Sequence, residues 1–133
     1  MMFGVDIFKN PIHLGLGATA VVLPGFTGDV QWYETYGERH AADGKEGRLV
    51  SMFTFDKPWD MWEMHPQGSE VVLCTAGSIT LHQERADGSR NTVTLRPGEY
   101  AINEPGAWHT ADVDEEATAV FITAGLGTEH RPR

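Results

Sequence analysis

At 133 residues the chain suits one domain, long enough to bury a single core without disulfide or structural-metal staples. A formal charge of -9, with ten Lys and Arg scattered rather than clustered, repels phosphate backbones and argues against nucleic acid as a partner. The lone cysteine, Cys74, cannot close an internal disulfide, and the start of the chain lacks the basic flank and apolar run of a secretory signal, so a cytoplasmic setting is expected.

Residues 1 to 24 are mixed and apolar, and read as an edge strand or arm packed on the rest of the domain or on a second subunit. Their apolar run from Ala18 to Leu23, closed by Pro24, is too short to span a bilayer, and no membrane segment is expected. Gly15-x-Gly17-x-x-Ala20 has the outline of a dinucleotide fingerprint but lacks the strand before it and the long helix after it that such a site requires. Asp29 is placed to cap a short helix on which Trp32, Tyr36 and His40 recur at fourth-residue intervals, ending near Asp43-Gly44. From Leu49 the chain breaks into short runs rich in Val, Ile, Thr, Phe and Trp, separated by Gly and Pro. Strands are predicted at 49–55, 59–65, 70–76, 78–85, 90–95, 100–103, 107–113 and 117–124, with a tight hairpin at Asp87-Gly88 where Gly supplies a positive φ without steric cost. Such spacing favours a sandwich or closed barrel, which hides its sheet edges. The expected layout is an arm and helix over 1–48, a barrel over 49–126 and a C-terminal tail over 127–133, all within one domain.

The chemistry concentrates in Trp62-Glu63-Met64-His65-Pro66-Gln67-Gly68-Ser69-Glu70, answered by Pro105-Gly106-Ala107-Trp108-His109. On a strand Glu63 and His65 share a face while Trp62 and Met64 take the other. Pro at the second and Gly at the fourth place of His65-Pro66-Gln67-Gly68 predict a type I turn that brings Glu70 back beside them. Three candidate metal ligands then converge.

These motifs resemble those of the cupin family. Its first motif is Gly, five residues, His-x-His, three or four residues, Glu, six residues, Gly, and Glu63-x-His65, four residues, Glu70, six residues, Gly77 follows it from the ligand pair onward. Its second is Gly, five residues, Pro-x-Gly, two residues, His, three residues, Asn, and here Gly98, five residues, Glu104-Pro105-Gly106, two residues, His109 keeps the spacing. Glu63 stands in place of the first motif histidine, the proline has moved by one position to Pro105, and Val113 replaces the final Asn. The resemblance implies an all-β fold, a double-stranded β-helix or jelly-roll barrel with a short N-terminal helical segment, and a homodimer. It also implies His65, Glu70 and His109 at metal-ligand positions, with Glu63 as a fourth if it coordinates. Such an N/O set suits a divalent transition metal, Fe, Mn, Zn, Ni or Co.

Trp59 and Met61 share the parity of Glu63 and His65, and Cys74 that of Glu70; with Val72 and with His82 on a neighbouring strand they are the expected pocket lining, core filling being the alternative. Glu63 reads either as a ligand or as a catalytic base whose pKa is raised by an apolar wall of Trp59, Met61 and Val72; a salt bridge to Arg48 or Arg96 is the third option. Trp62, Met64 and Trp108 are expected to pack outward, in a subunit interface. His40 is read as a solvated helix end, reach over the barrel mouth being the alternative, while His13 and His130 are expected to be exposed and Cys74, in mid-strand, to be inert. The function expected is a metal-dependent oxygenase or lyase/isomerase acting on a small organic ligand. The alternative is a metal-free, non-catalytic ligand-binding or sensing barrel, its ionisable groups paired with one another.

Overall fold

Strands follow the alternating apolar runs. The computed structural model describes residues 2–133. Its strands are β1 (Ile12–Gly15), β2 (Thr19–Val22), β3 (Arg48–Phe55), β4 (Met61–Met64), β5 (Glu70–Gly77), β6 (Ile79–Glu84), β7 (Arg90–Leu95), β8 (Tyr100–Asn103), β9 (Trp108–Asp112), β10 (Ala117–Thr123) and β11 (Glu129–Pro132). They form two antiparallel sheets, one in the order β2-β1-β3-β10-β5-β8 and the other β11-β4-β9-β6-β7. Along β6 the pattern is strict: Ile79, Leu81 and Gln83 are buried and Thr80, His82 and Glu84 half-buried. The inward residues meet Val72, Cys74, Leu95, Ala111, Val113, Ala117, Ala119 and Phe121 in one core, with Phe53, Phe55 and Trp59 packed against it. Fully burying Ile79 or Leu81 contributes about 1.5–3 kcal/mol each.

The β6–β7 hairpin turns at Asp87-Gly88 as expected: Gly88 takes φ +84°, and the Asp87 carboxylate accepts from the Ser89 N–H at 2.9 Å. The expected helix is α1 (Val30–Arg39), where the Asp29 carboxylate accepts from the Trp32 N–H at 2.8 Å. His40 caps its C-terminus, and a 3-10 segment follows over Ala41–Glu46. No helix among the described residues is long and apolar enough to cross a membrane.

Segments near both ends of the described chain join the sheets. Residues 12–22 form the edge hairpin β1–β2 beside β3, in keeping with the edge strand expected there. The segment expected to be a tail forms β11 instead, because Glu129–Pro132 pairs with β4 across its whole length. The link from β4 to β5 also differs from expectation: residues 66–68 bend without the hydrogen bond of a closed turn, and the His65 carbonyl accepts from the Gly106 N–H at 3.0 Å. That bond ties the two sequence motifs together. A Cβ on Gly68 would stand 2.5 Å from the Ala124 Cβ, so a side chain there would push the link off the barrel.

Candidate metal centre

The site is made of two facing rows of cross-strand neighbours. In one sheet the pairing sets His130 beside Glu63, Glu63 beside His109, and His109 beside Gln83. In the other it sets Thr123 beside Glu70 and Glu70 beside Asn103. His65, just past the end of β4, closes the gap between the rows. One ligand atom from each of Glu63, His65 and His109 lies within 4.8 Å of the others. Glu70 approaches both imidazoles, with Oε2 3.2 Å from His65 Nε2 and Oε1 3.2 Å from His109 Nε2. Glu63 Oε2 stands 3.7 Å from His109 Nε2.

The outer nitrogens of both histidines define their tautomers. The Thr128 hydroxyl donates to the Gly125 carbonyl at 2.7 Å, so it can receive the proton on His65 Nδ1, 2.8 Å away. His109 Nδ1 faces the Ala107 carbonyl at 3.4 Å, which only accepts. With Nδ1 carrying a hydrogen, each ring can release any Nε2 proton to an incoming cation and turn that lone pair to the cup, the arrangement in which histidine binds metals. Neither Nε2 has a hydrogen-bond partner, although both are buried. The 3.2 Å approaches to Glu70 are close enough for ionic attraction but not aligned for hydrogen bonds. Two orphaned, convergent imidazole nitrogens beside two carboxylates fit a divalent cation.

Supporting bonds fix the carboxylates. Asn103 Nδ2 donates to Glu70 Oε1 at 3.1 Å and the Thr123 hydroxyl to Oε2 at 2.6 Å, leaving further lone pairs free. Gln83 Nε2 donates to Asn103 Oδ1 at 2.7 Å and joins the two rows. Burial pushes the Glu70 carboxyl up, but contact with His109 and His65 prevails and holds it well below the usual carboxylate range. Glu63 is likewise held below its ordinary value, since His109 and His65 outweigh burial and the charge of Glu70. The expected rise from an apolar wall is therefore reversed, and Glu63 is an ionised carboxylate. Burial alone would lower His109; contact with Glu63 and Glu70 carries it up to about 9.

These shifts predict a stability profile for chelator-treated protein. His109, raised from 6.5, contributes stability fully below that value and loses it as pH rises through about 9. Glu70 and Glu63, lowered from 4.5, contribute above that value and lose it on acidification. Melting temperature should plateau between about pH 5 and 6.5 and fall toward pH 9. A melting temperature that climbs steadily from pH 7 to 9.5 would contradict this account of the cup.

Among the expected lining residues, Trp59 packs on the core next to His109, with ring centroids 6.3 Å apart. Met61 is half-buried at the start of β4, opposite Pro132. Val72 and Cys74 are fully buried among core side chains, so core filling is the better description of both. Burial pushes the Cys74 thiol up and keeps it unreactive. His82 does not reach the cup: it lies on the outward parity of β6, its Nε2 2.7 Å from Asp112 Oδ2 and its Nδ1 3.1 Å from Thr92. Glu63 pairs with neither Arg48 nor Arg96; its Oε1 lies 3.1 Å from His130 Nε2. His130, expected to be exposed, thus enters the rim with half its side chain still in solvent. Trp62 and Trp108 are covered by the chain's own Arg131, whose guanidinium sits 5.2 and 4.5 Å from their rings. His13 is buried rather than exposed, and stacks on His40 at 3.9 Å, at the C-terminal end of the helix.

Gln83, Asn103, Thr123 and Thr128 escaped the sequence reading. The alternation on β6 would have found Gln83, but the others depend on pairings distant in sequence. So does Tyr33 on α1, pushed up to about 12 by burial and then by the charges of Glu63 and Glu70, which puts it within electrostatic reach of the cup.

The two antiparallel sheets and their order give the cupin fold, the double-stranded β-helix. No family model matches the sequence, and no curated protein sequence matches it. Among solved structures, the chain is similar to a conserved protein with a double-stranded beta-helix domain from Klebsiella pneumoniae, at 21% identity and a TM-score of 0.53 over 65% of this chain and 76% of that one. It is also similar to an oxalate oxidase, at 16% identity and 0.53 over 61% of this chain and 44% of that one. A third is hydroquinone 1,2-dioxygenase from Sphingomonas sp. TTNP3, solved with 4-hydroxybenzoate bound, at 17% identity and 0.50 over 57% of this chain and 59% of that one. The match spans less than two thirds of the oxidase and dioxygenase chains, and the likeness is one of fold.

Proposed function

We propose that this protein is a metal-dependent enzyme acting on a small organic molecule that offers an oxygen to the ion, by oxygenase or lyase/isomerase chemistry. The observation that carries the reading is the pair of buried Nε2 atoms of His65 and His109, unpartnered and facing Glu63 and Glu70. His65, His109 and Glu63 would hold the ion, with Glu70 completing the set. A bound divalent ion would supply a Lewis acid that polarises the substrate oxygen or, if redox-active, a route to dioxygen activation.

The protein's own residues divide the remaining work. Glu63, ionised and linked to half-exposed His130, lies on the route by which a proton could pass between the cup and solvent. Asn103 and Thr123 orient Glu70, and Thr128 orients His65. Trp59 and the packed core behind it exclude water from one side. The fold neighbours include an oxidase and a dioxygenase, which is compatible with this reading without selecting the substrate.

Elemental analysis of protein purified without chelator or affinity nickel tests the proposal. One stoichiometric transition metal at the cup is expected, lost in His65→Ala. Thr128→Val, which removes the acceptor for His65 Nδ1 together with that hydroxyl's bond to the Gly125 carbonyl, should weaken metal binding at the cup by roughly 10–100-fold while leaving the ligands in place. A cup that stays empty after anaerobic reconstitution, or full occupancy in His65→Ala, refutes the metal-dependent reading and favours a metal-free binding barrel.

A further inference from the structure

A second cluster of histidine and carboxylate shares no residue with the cup. It lies where β1 meets the segment following α1. His13, on β1, is buried; His40 caps α1; Asp43 sits one helical turn further on, its N–H donating to the His40 carbonyl at 3.1 Å. One ligand atom from each of the three lies within 4.8 Å of the others. The two imidazoles are stacked, with centroids 3.9 Å apart and planes at 23°.

Three further observations point to a ligand. His40 Nε2 is shielded from solvent and has no hydrogen-bond partner, which is costly for a polar atom unless something absent from the chain satisfies it. His13 Nδ1 is 2.7 Å from the Tyr36 hydroxyl, the outer-nitrogen contact that orients a metal-binding imidazole, and Tyr36 is pushed up to about 12 by burial and then by Asp43, so it remains a neutral phenol. Two glycines keep the space open. A Cβ on Gly15 would stand 2.7 Å from Asp43 Oδ2 and 3.2 Å from His13 Nε2, and one on Gly47 would stand 2.9 Å from His13 Cε1.

We propose that His13, His40 and Asp43 form a second divalent-cation site, of the zinc type. Two imidazoles and one carboxylate, with no thiolate, are a known zinc donor set that leaves a fourth position for water. His13 Nε2 and Asp43 Oδ2 are now 2.6 Å apart, a distance that needs a proton between them. On binding, that proton leaves to solvent and the two atoms part to roughly 3.3 Å, the separation of neighbouring ligands on a tetrahedral ion with bonds near 2.0 Å. Asp43 can make the adjustment because it belongs to a short surface 3-10 segment. The cation would pin the C-terminal end of α1 to β1 and so steady the helix that carries Tyr33.

The test is zinc chloride titration of the full chelator-treated chain, followed by gel filtration and elemental analysis, with circular dichroism to show that each variant is folded. Wild type should retain two equivalents, His65→Gln one, His40→Gln one, and the double variant none. If the cup takes no zinc, a single equivalent that survives His65→Gln and disappears in His40→Gln still supports the second site, so the two proposals fail separately. Asp43→Asn serves in place of His40→Gln should the latter not fold. Tyr36→Phe keeps all three donors and should weaken the second equivalent alone by roughly 10–100-fold. The site is refuted if folded His40→Gln or Asp43→Asn retains as much zinc as wild type, or if His65→Gln retains none.

Discussion

His109→Ala should abolish metal retention at the cup and at the same time destabilise the chelator-treated protein by about 3–5 kcal/mol, the usual consequence of leaving a buried charge without its partner. The second effect follows from the cup itself. His109 is fully buried, and its imidazole faces Glu70 at 3.2 Å and Glu63 at 3.7 Å. Both carboxylates are held ionised largely by that ring. Without it, the buried charge of Glu70 and the part-exposed charge of Glu63 face each other with only His65 between them, and Glu70 should take up a proton at higher pH. The two effects can be separated by the double variant His109→Ala/Glu70→Gln. Neutralising Glu70 keeps its shape and should recover much of the stability, as read by urea unfolding, while metal binding stays lost. Recovery of both would mean that His109 acts only as a counter-charge. Recovery of neither would point to the cavity left by the ring as the main cost.

The parts of this site that were legible in the sequence share one property: each rests on spacing within a single segment. Glu63 and His65 alternate along β4 and its immediate continuation, Glu70 follows the bend, and His109 follows Pro105-Gly106 with two residues between. The expected strands coincide with β3 and β5–β10 to within a residue or so at each end for the same reason. What was not legible was set by partners far along the chain. His130 reaches Glu63 only because β11 pairs with β4, and a polar terminal segment carries no local sign of that pairing. His13 appeared exposed beside Pro11, yet Tyr36 and Asp43 bury it from 23 and 30 residues away. The direction of the Glu63 shift was misjudged because the apolar wall was weighed without the two imidazoles. His82 was a different kind of error. It was placed in the pocket lining, whereas the inward set of β6 is Ile79, Leu81 and Gln83, and the apolar alternation Ile79, Leu81 already indicates this.

Gly77→Ala should be the most damaging single-methyl change in the barrel. Gly77 ends β5 with φ +69°, and a Cβ there would lie 2.0 Å from the Glu116 carbonyl oxygen and 3.0 Å from the Ala117 Cα. Both obstacles are backbone, so no side-chain rotation relieves them, and β10 must move. The left-handed conformation adds roughly 1–2 kcal/mol for any residue with a Cβ. Together these place the expected loss at about 3–5 kcal/mol, a large part of the 5–15 kcal/mol by which such domains are stable. Gly88→Ala is the control, because Gly88 has φ +84° and nothing within 4 Å of the added carbon. It should cost only the conformational part. The urea midpoint should therefore fall far more for Gly77→Ala than for Gly88→Ala, and equal shifts would show that the strands yield freely at this point. The comparison also reaches the candidate centre. β5 supplies Glu70 and β10 supplies Thr123, and the two residues are paired in register. A displaced β10 should draw the Thr123 hydroxyl away from Glu70 Oε2, so whatever folded Gly77→Ala protein remains should hold metal more weakly than wild type, whereas Gly88→Ala should hold it equally well.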